Sequence, residues 1–299
     1  MGSDLADHYP LAKQTFEEAD AILGYALSRL MWEGPEAELN DTLNTQPALY
    51  LHSAAALRVF THLYPEFQPA NVAGHSLGEL SALTASGALP FSDGLQLVCR
   101  RGELMKRAGE ISPGGMAAIL GLDIPTLEKV CAEASTENEI VQVANDNCPG
   151  QVVISGAKVA VERAIVGAKA AGAKRGIPLA VSIAAHSPLM ASVQAEWDEA
   201  VDACSIADPA IPVIGNVRAQ PMRTAGELRT DIKAQMDSRV RWTESVQGMR
   251  ESGIQTFVEV GCGTVLLGLI RRVAQPSSEG FAVSGYPLGI PDDFSAFVD

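Results

Sequence analysis

The feature that most constrains this chain is a sharp turn between a predicted strand and a predicted helix. Residues 70–73 form a short extended run, GHSLG follows at residues 74–78, and residues 77–86 have helical periodicity. A GxSxG turn in this context, which we call the elbow, lifts its serine hydroxyl clear of the sheet, and its glycines leave that hydroxyl room. The sequence therefore predicts an α/β protein with Ser76 as a candidate nucleophile.

A second pattern indicates two domains. From residue 116 to residue 181 the predicted order is strand, helix, strand, strand, helix, strand, which is the ferredoxin-like order. Helices and strands alternate again after this segment, as in a doubly wound α/β domain that resumes after an insertion. Residues 11–30 and 48–63 are each expected to be one helix, and Ser92 or Asp93 is expected to cap the helix that runs to about residue 108. Residues 124–134 are predicted to be a helix, residues 256–260 a strand, and the residues from 276 onward loop.

Composition excludes several classes of function. The chain has 299 residues, 47% of them hydrophobic, and a formal net charge of −14, which disfavours nucleic acid and anionic membrane surfaces as partners. Five scattered cysteines form no CxxC pair, so we expect no metal site, no cofactor and a reducing cytoplasm. No apolar run approaches the roughly 18 residues of a membrane-spanning helix.

A serine nucleophile needs a base, and the chain offers five histidines. They are His8, His52, His62, His75 and His186. The first is near the start, the next two lie in a predicted helix, and His75 should point to the other side of the strand from Ser76. His186 lies on a loop between the two predicted domains, where clefts usually form. The alternative is that His186 is an ordinary buried histidine bonded to the backbone.

Arg101 indicates the substrate class. The apolar stripe of its predicted helix consists of Leu97, Val98, Leu104, Met105 and Ala108. Arg101 falls within this stripe, whereas Arg100 falls on a solvated face. A buried guanidinium keeps its charge and must meet a carboxylate, either of the protein or of a ligand. The first case is a structural salt bridge, and the second selects an acyl group that carries its own carboxylate, such as malonyl.

These residues carry a resemblance to a known family. GHSLGELSAL at residues 74–83, the Arg101-Gly102 pair, NDNCPGQVVISG at residues 145–156, and His186 occur in the order found in the malonyl-CoA:acyl-carrier-protein transacylases. The chain resembles that family from about residue 11 to residue 273. The resemblance implies an α/β-hydrolase-like large domain, residues 1–115 and 187–299, with an inserted ferredoxin-like small domain, residues 116–186.

The resemblance also implies roles for further residues. In this family a backbone carbonyl orients the histidine, and the matching residue here is Gln235. Asn145 and Asn147 match positions that line the cleft and bind substrate. The N–H of Leu77, at the start of the elbow helix, matches a donor to the oxyanion.

Two departures from the family pattern matter. Ala185 stands where many members have serine before the histidine, which bears on the range of acyl groups accepted. The family normally opens with a strand and a loop that supplies a second oxyanion donor, and Met1-Gly2 matches the segment after that loop. We expect that a chain extended at this end would be more stable and more active.

The predicted activity is transfer of malonyl from malonyl-CoA to the phosphopantetheine thiol of acyl carrier protein, through a seryl-acyl intermediate in fatty-acid biosynthesis. A thioester hydrolase is one alternative, although such enzymes place their histidine near the C-terminus and none follows His186 here. A catalytically silent interaction subunit is the other. Whether the pathway makes fatty acids or polyketides stays open.

Overall fold

The computed structural model describes residues 1–274 and 283–297, which form a mixed α/β fold. The helices are α1 (Ser3–His8), α2 (Pro10–Leu23), α3 (Leu27–Glu33), α4 (Glu36–Leu39), α5 (Thr42–Leu63), α6 (Gly78–Ala85), α7 (Phe91–Ile111), α8 (Ile124–Ala134), α9 (Lys158–Ala170), α10 (Gln194–Ala203), α11 (Ala225–Gln235), α12 (Trp242–Glu251), α13 (Val265–Val273) and α14 (Pro291–Ala296). The strands are β1 (Val72–Ala73), β2 (Gly114–Leu120), β3 (Val141–Cys148), β4 (Gln151–Ala157), β5 (Arg175–Pro178), β6 (Val213–Ile214), β7 (Pro221–Met222), β8 (Thr256–Val260) and β9 (Ser284–Leu288). A short 3₁₀ helix, Pro188–Val193, precedes α10.

The first helices show how local signals set helix ends. Pro10 occupies the first turn of α2, where its missing N–H costs nothing, and Gly24 ends the helix with φ of 74°. The prediction of one helix over residues 11–30 is therefore wrong, because a left-handed residue at Gly24 cannot continue a right-handed helix. The α5 helix begins at the Asp41 cap, whose side chain accepts a hydrogen bond from Leu43 N, well before the predicted start at residue 48.

The α7 helix, which carries Arg101, also begins differently from the prediction. Ser92 or Asp93 was expected to cap it, but the helix starts at Phe91 and its N-cap residue, Pro90, offers no side-chain acceptor. Asp93 Oδ2 instead accepts a hydrogen bond from Ser205 N, on a distant segment. The expectation of a cap at Ser92 or Asp93 was wrong because both residues already lie in the first turn of the helix.

The inserted segment forms a four-stranded antiparallel sheet with the order β3-β4-β2-β5. Helix α8 connects β2 to β3, and α9 connects β4 to β5, so the ferredoxin-like order is confirmed. Apolar side chains of the two helices and the sheet share one core, among them Leu127, Ile154 and Ala164. The sheet itself begins at Gly114, and the domain boundaries at residues 116 and 186 stay a prediction.

The rest of the chain contains two smaller sheets and most of the helices. Strand β1 pairs in parallel with β6, and β8 pairs in parallel with β9. A large apolar core joins α5, α6, α7 and α10 through side chains that include Leu51, Leu80, Val98 and Trp197. This shared core fixes α6 and α7 relative to one another, and with them the elbow and Arg101.

The C-terminal segment corrects another expectation. Residues from 276 onward were expected to be loop, but β9 and α14 lie there, while residues 276–282 fall outside the described part. The sequence of β9, SGYPL, has no strand alternation, and its pairing comes from β8. No helix within the described ranges is both long and apolar enough to cross a membrane.

Candidate active site

Ser76 sits at the elbow, between the end of β1 and the start of α6. Its φ of 52° is unusual for a residue with a side chain and typical of a strained strand-to-helix turn. A Cβ on Gly74 would lie 1.9 Å from the carbonyl oxygen of Gly78, so only glycine fits there. A Cβ on Gly78 would meet open space, so the expectation that both glycines are sterically required holds for Gly74 alone.

Asn216, which follows β6, fixes the elbow from the neighbouring strand. Its Oδ1 accepts a hydrogen bond from Ser76 N at 2.7 Å, and its Nδ2 donates to the Gly74 carbonyl at 2.7 Å. No local pattern in the sequence predicts this residue, because nothing marks a buried asparagine that pairs with a segment 140 positions away.

His186 lies against the serine hydroxyl. The distance from His186 Nε2 to Ser76 Oγ is 2.8 Å, and His186 Nδ1 donates to the main-chain oxygen of Gln235, also at 2.8 Å. Because a carbonyl can only accept, the proton is on Nδ1 and Nε2 is free to accept the serine proton. Burial lowers the pKa of His186 to about 3, with the charge of Arg101 acting in the same direction, so the imidazole is neutral at neutral pH.

The other four histidines stay apart from the serine hydroxyl. His8 and His62 are exposed, and His52 is buried beside Gly289. His75 bonds Asn147 Oδ1 at 2.7 Å through its Nε2. The structure therefore brings only His186 of the five into hydrogen-bonding distance of Ser76 Oγ.

Arg101 is the third group at the hydroxyl. It is 2% exposed, and its Nη2 donates to Ser76 Oγ at 3.0 Å and to Gln235 Oε1 at 2.9 Å, while Nη1 donates to Gln46 Oε1 at 2.7 Å. Its hydrogen-bond partners are neutral oxygens, and among the described residues Glu79, the carboxyl group that acts on its charge, forms no salt bridge with it. The structure therefore does not show the structural salt bridge that was the alternative role for Arg101.

The guanidinium of Arg101 also has hydrogen-bonding capacity to spare. Its Nε is buried and has no acceptor within the described part of the chain. Burial lowers the pKa of Arg101 only to about 10, so it stays charged at neutral pH. A buried cation whose hydrogen-bond partners are neutral, with one N–H unused, is electrostatically suited to an anionic ligand beside the serine.

Comparison with known proteins agrees with this geometry. Residues 1–285 match the family model of the acyl transferase domain. This chain belongs to the acyl transferase family. It is 45% identical to the malonyl CoA-acyl carrier protein transacylase of Haemophilus influenzae over 273 residues, which cover 91% of this chain and 87% of that protein.

Solved structures agree as well. An acyl carrier protein S-malonyltransferase from Vibrio cholerae superimposes on this acyl transferase with a TM-score of 0.93 at 41% identity, covering 99% of this chain and 94% of that one. A malonyl-transacylase in complex with a type II PKS acyl-carrier protein gives a TM-score of 0.91 at 39% identity, with coverages of 99% and 93%.

The remaining predicted residues of the acyl transferase lie around the elbow. Within the described residues the N–H of Leu77 has no hydrogen-bond acceptor, and it precedes α6. Asn147 is hydrogen-bonded to His75, next to the serine. Asn145 is buried, and its backbone forms an isolated parallel β-bridge with Val240. Their roles in the oxyanion site and in substrate binding stay predictions.

The sequence also provided no prediction of the buried polar residues that pack behind the acyl transferase site. Gln235 Nε2 donates to the Ser76 carbonyl at 2.9 Å and to Glu79 Oε2 at 2.5 Å. Glu79 is fully buried, and burial raises its pKa well above the ordinary range, with Asp231 adding to the effect. The position of Glu79 one turn after the serine was the available signal. Within residues 1–274 and 283–297 no cluster of side chains is arranged to hold a metal ion.

Proposed function

We propose that this acyl transferase moves a malonyl group from malonyl-CoA to the phosphopantetheine thiol of acyl carrier protein in fatty-acid biosynthesis. The observation that supports the proposal most is that Ser76 Oγ lies within hydrogen-bonding distance of both His186 Nε2 and Arg101 Nη2, at 2.8 and 3.0 Å. The Ser76 hydroxyl thus lies beside both a neutral base, His186, and a cation that suits a carboxylate, Arg101. Transfer of an acyl group with a free carboxylate needs the base for the attack and the cation for binding.

In the first half-reaction His186 Nε2 takes the proton of Ser76 as Oγ attacks the thioester carbonyl. The carbonyl oxygen becomes an oxyanion, for which the N–H of Leu77 at the start of α6 is a donor. The carbon–sulfur bond then breaks, and the CoA sulfur leaves with the proton from His186. The product is a malonyl ester on Ser76.

The second half-reaction is the reverse with a different thiol. His186 takes the proton of the phosphopantetheine thiol, and the sulfur of that thiol attacks the carbonyl carbon of the seryl ester. The bond between Oγ and the acyl carbon breaks, and Ser76 recovers its proton from His186. The hydrogen bond from His186 Nδ1 to the Gln235 carbonyl keeps the imidazole in the required orientation throughout, so no acidic residue is needed for this purpose.

Arg101 supplies selectivity in this scheme. Its guanidinium would bind the malonyl carboxylate through both half-reactions and so hold the thioester carbonyl against Ser76 Oγ. An acetyl group would leave the buried cation without a partner, and sites built around a charged hydrogen bond reject analogues that lack the group. The protein therefore discriminates for malonyl and against simple acyl groups.

The test is intact-mass measurement after mixing the protein with malonyl-CoA. We expect an added malonyl group that is absent in Ser76→Ala and that disappears when holo acyl carrier protein is added, with malonyl appearing on the carrier. Hydrolysis to free malonate at an equal rate without the carrier would instead indicate a thioester hydrolase. Absence of any adduct on the wild-type protein would indicate a silent interaction subunit.

We place the protein in the cytoplasm. All five cysteines are free, which fits a reducing compartment.

A further inference from the structure

Glu79 connects the segments that hold the serine and the histidine. It lies in α6 and is fully buried. Its Oε2 accepts from Gln235 Nε2 at 2.5 Å, and its Oε1 accepts from Asn216 N at 3.2 Å. The Gln235 backbone carbonyl orients His186, and the Asn216 side chain fixes the elbow. The carboxyl group of Glu79 therefore supports both the residue that orients His186 and the residue that fixes the elbow.

A second buried carboxyl group meets Glu79. Asp231 lies in α11, one turn before Gln235, is 1% exposed, and shares a hydrogen bond with Glu79. Two carboxylates in contact and away from water cannot both stay ionised, because hydration does not offset their repulsion and neither of them forms a salt bridge with any residue that the structure describes. The charge of Arg101 is close enough for Glu79 to raise its pKa, but the hydrogen bonds of Arg101 go to neutral oxygens.

Backbone N–H groups donate to one of the two carboxyl groups, Asp231. Asp231 Oδ2 accepts from Val217 N at 3.1 Å and Oδ1 accepts from Arg218 N at 3.2 Å. Both oxygens of Asp231 therefore already accept hydrogen bonds from the backbone. The hydrogen bond between the carboxyl groups needs a donor, and Glu79 is the one left to supply it.

We propose that Glu79 is a positioning residue of the acyl transfer: as a neutral carboxylic acid it donates to Asp231, accepts from Gln235 and Asn216, and so holds base and nucleophile in line. The inference rests on the proposed malonyl transfer. A neutral Glu79 has a second effect, since an ionised carboxylate there would compete with the substrate for the charge of Arg101.

Substitutions separate a neutral acid from an ionised one. Glu79→Gln keeps a donor for Asp231 and one acceptor oxygen, so it is neutral and retains two of the three hydrogen bonds of a protonated Glu79. Glu79→Met keeps the volume but loses every hydrogen bond. A small misplacement of a catalytic group costs about 10²-fold in rate, so we expect kcat to fall about 10²-fold in Glu79→Met and less than about tenfold in Glu79→Gln. KM for malonyl-CoA should change little in either.

The matched control is Thr15→Val. Thr15 is fully buried, and its hydroxyl donates to the Leu11 carbonyl, away from the elbow. The control should lower the melting temperature while leaving kcat at the wild-type value. If Glu79→Met folds and keeps wild-type kcat, the positioning role is wrong. If Glu79→Gln is folded and as slow as Glu79→Met, the neutral acid is wrong.

Infrared spectroscopy tests the protonation state without any assay of activity. At neutral pH the wild-type protein should have a carbonyl band of a protonated carboxylic acid that is missing in Glu79→Gln. Its absence would overturn the inference even if Glu79→Met does not fold. Failure of the proposed function is a separate result, since it appears as a wild-type protein that takes no malonyl from malonyl-CoA.

Discussion

Arg101 Nη2 lies 3.0 Å from Ser76 Oγ, so the group suited to an anion and the group suited to attack are immediate neighbours. A ligand that satisfies both must carry its carboxylate very close to its reactive carbonyl. Malonyl thioesters meet this condition, because one methylene separates the two groups. The spacing of two side chains thus restricts the substrate as strongly as their chemistry does.

The first prediction concerns acyl selectivity. Arg101→Ala should lower kcat/KM for malonyl-CoA by about 10²-fold, because truncating one partner of a buried charged pair costs about 2–5 kcal/mol. The kcat/KM for acetyl-CoA should fall far less. The ratio of kcat/KM for malonyl-CoA to kcat/KM for acetyl-CoA should therefore decrease. Steady-state kinetics with both thioesters measures this.

Arg100→Ala is the control for that prediction. Arg100 is adjacent in sequence and pairs with Glu103 and Glu196 at the surface. Exposed pairs contribute about 1 kcal/mol or less, and none of these contacts reaches the elbow. An equal loss of selectivity in both variants would contradict a carboxylate-binding role for Arg101.

The second prediction concerns pH and stability. Burial lowers the pKa of His186 to about 3, whereas an unfolded chain has the ordinary value of about 6.5. Below that ordinary value the unfolded state binds more protons than the folded state. The contribution of His186 to the free energy of unfolding is therefore complete above about pH 6.5 and is lost as pH falls towards 3.

The measurement is thermal unfolding as a function of pH. Between about pH 6.5 and pH 4 the melting temperature of the wild-type protein should fall more steeply than that of His186→Gln, which has no group to protonate there. Parallel curves for the two proteins would show that His186 is not buried in its neutral form.

The third prediction concerns the two glycines of the elbow. Gly74→Ala should abolish activity and destabilise the fold by about 1–3 kcal/mol or more, since its Cβ would lie 1.9 Å from the Gly78 carbonyl oxygen. Gly78→Ala places its Cβ in open space and should leave the melting temperature near the wild-type value. Equal destabilisation by the two substitutions would be inconsistent with this backbone geometry.

The fourth prediction concerns Asn216. Asn216→Ala removes an acceptor from Ser76 N and a donor from the Gly74 carbonyl, and a buried polar group without a partner costs about 1–3 kcal/mol. We expect a lower melting temperature and a kcat reduced by about tenfold or more. Asn44→Ala, which removes an exposed hydrogen bond to the Glu38 carbonyl, is the control and should alter neither. Wild-type kcat in Asn216→Ala would mean that the elbow holds its geometry alone.

Local patterns in the sequence predicted which segments are helices and which are strands, and they pointed to Ser76, His186 and Arg101 as candidate site residues. Helix α8 and strand β8 were predicted with the bounds that the structure gives them, Ile124–Ala134 and Thr256–Val260. Residues at helical or strand spacing reveal which face is buried, so the inward direction of Arg101 followed from its position alone. By contrast, β9 has no such pattern, because its stability comes from the strand beside it.

The amino-acid sequence by itself determined the strand-to-helix turn that presents Ser76, the ferredoxin-like order of the insertion, and the short set of histidines from which a base could come. Only the tertiary structure decided that Arg101 forms no salt bridge with a carboxylate of the described residues, and that Glu79 and Asp231 meet behind the site. The reason is physical. Periodicity and turn chemistry act between neighbouring residues, whereas the pairing of buried polar groups depends on segments far apart in the chain that packing alone brings together.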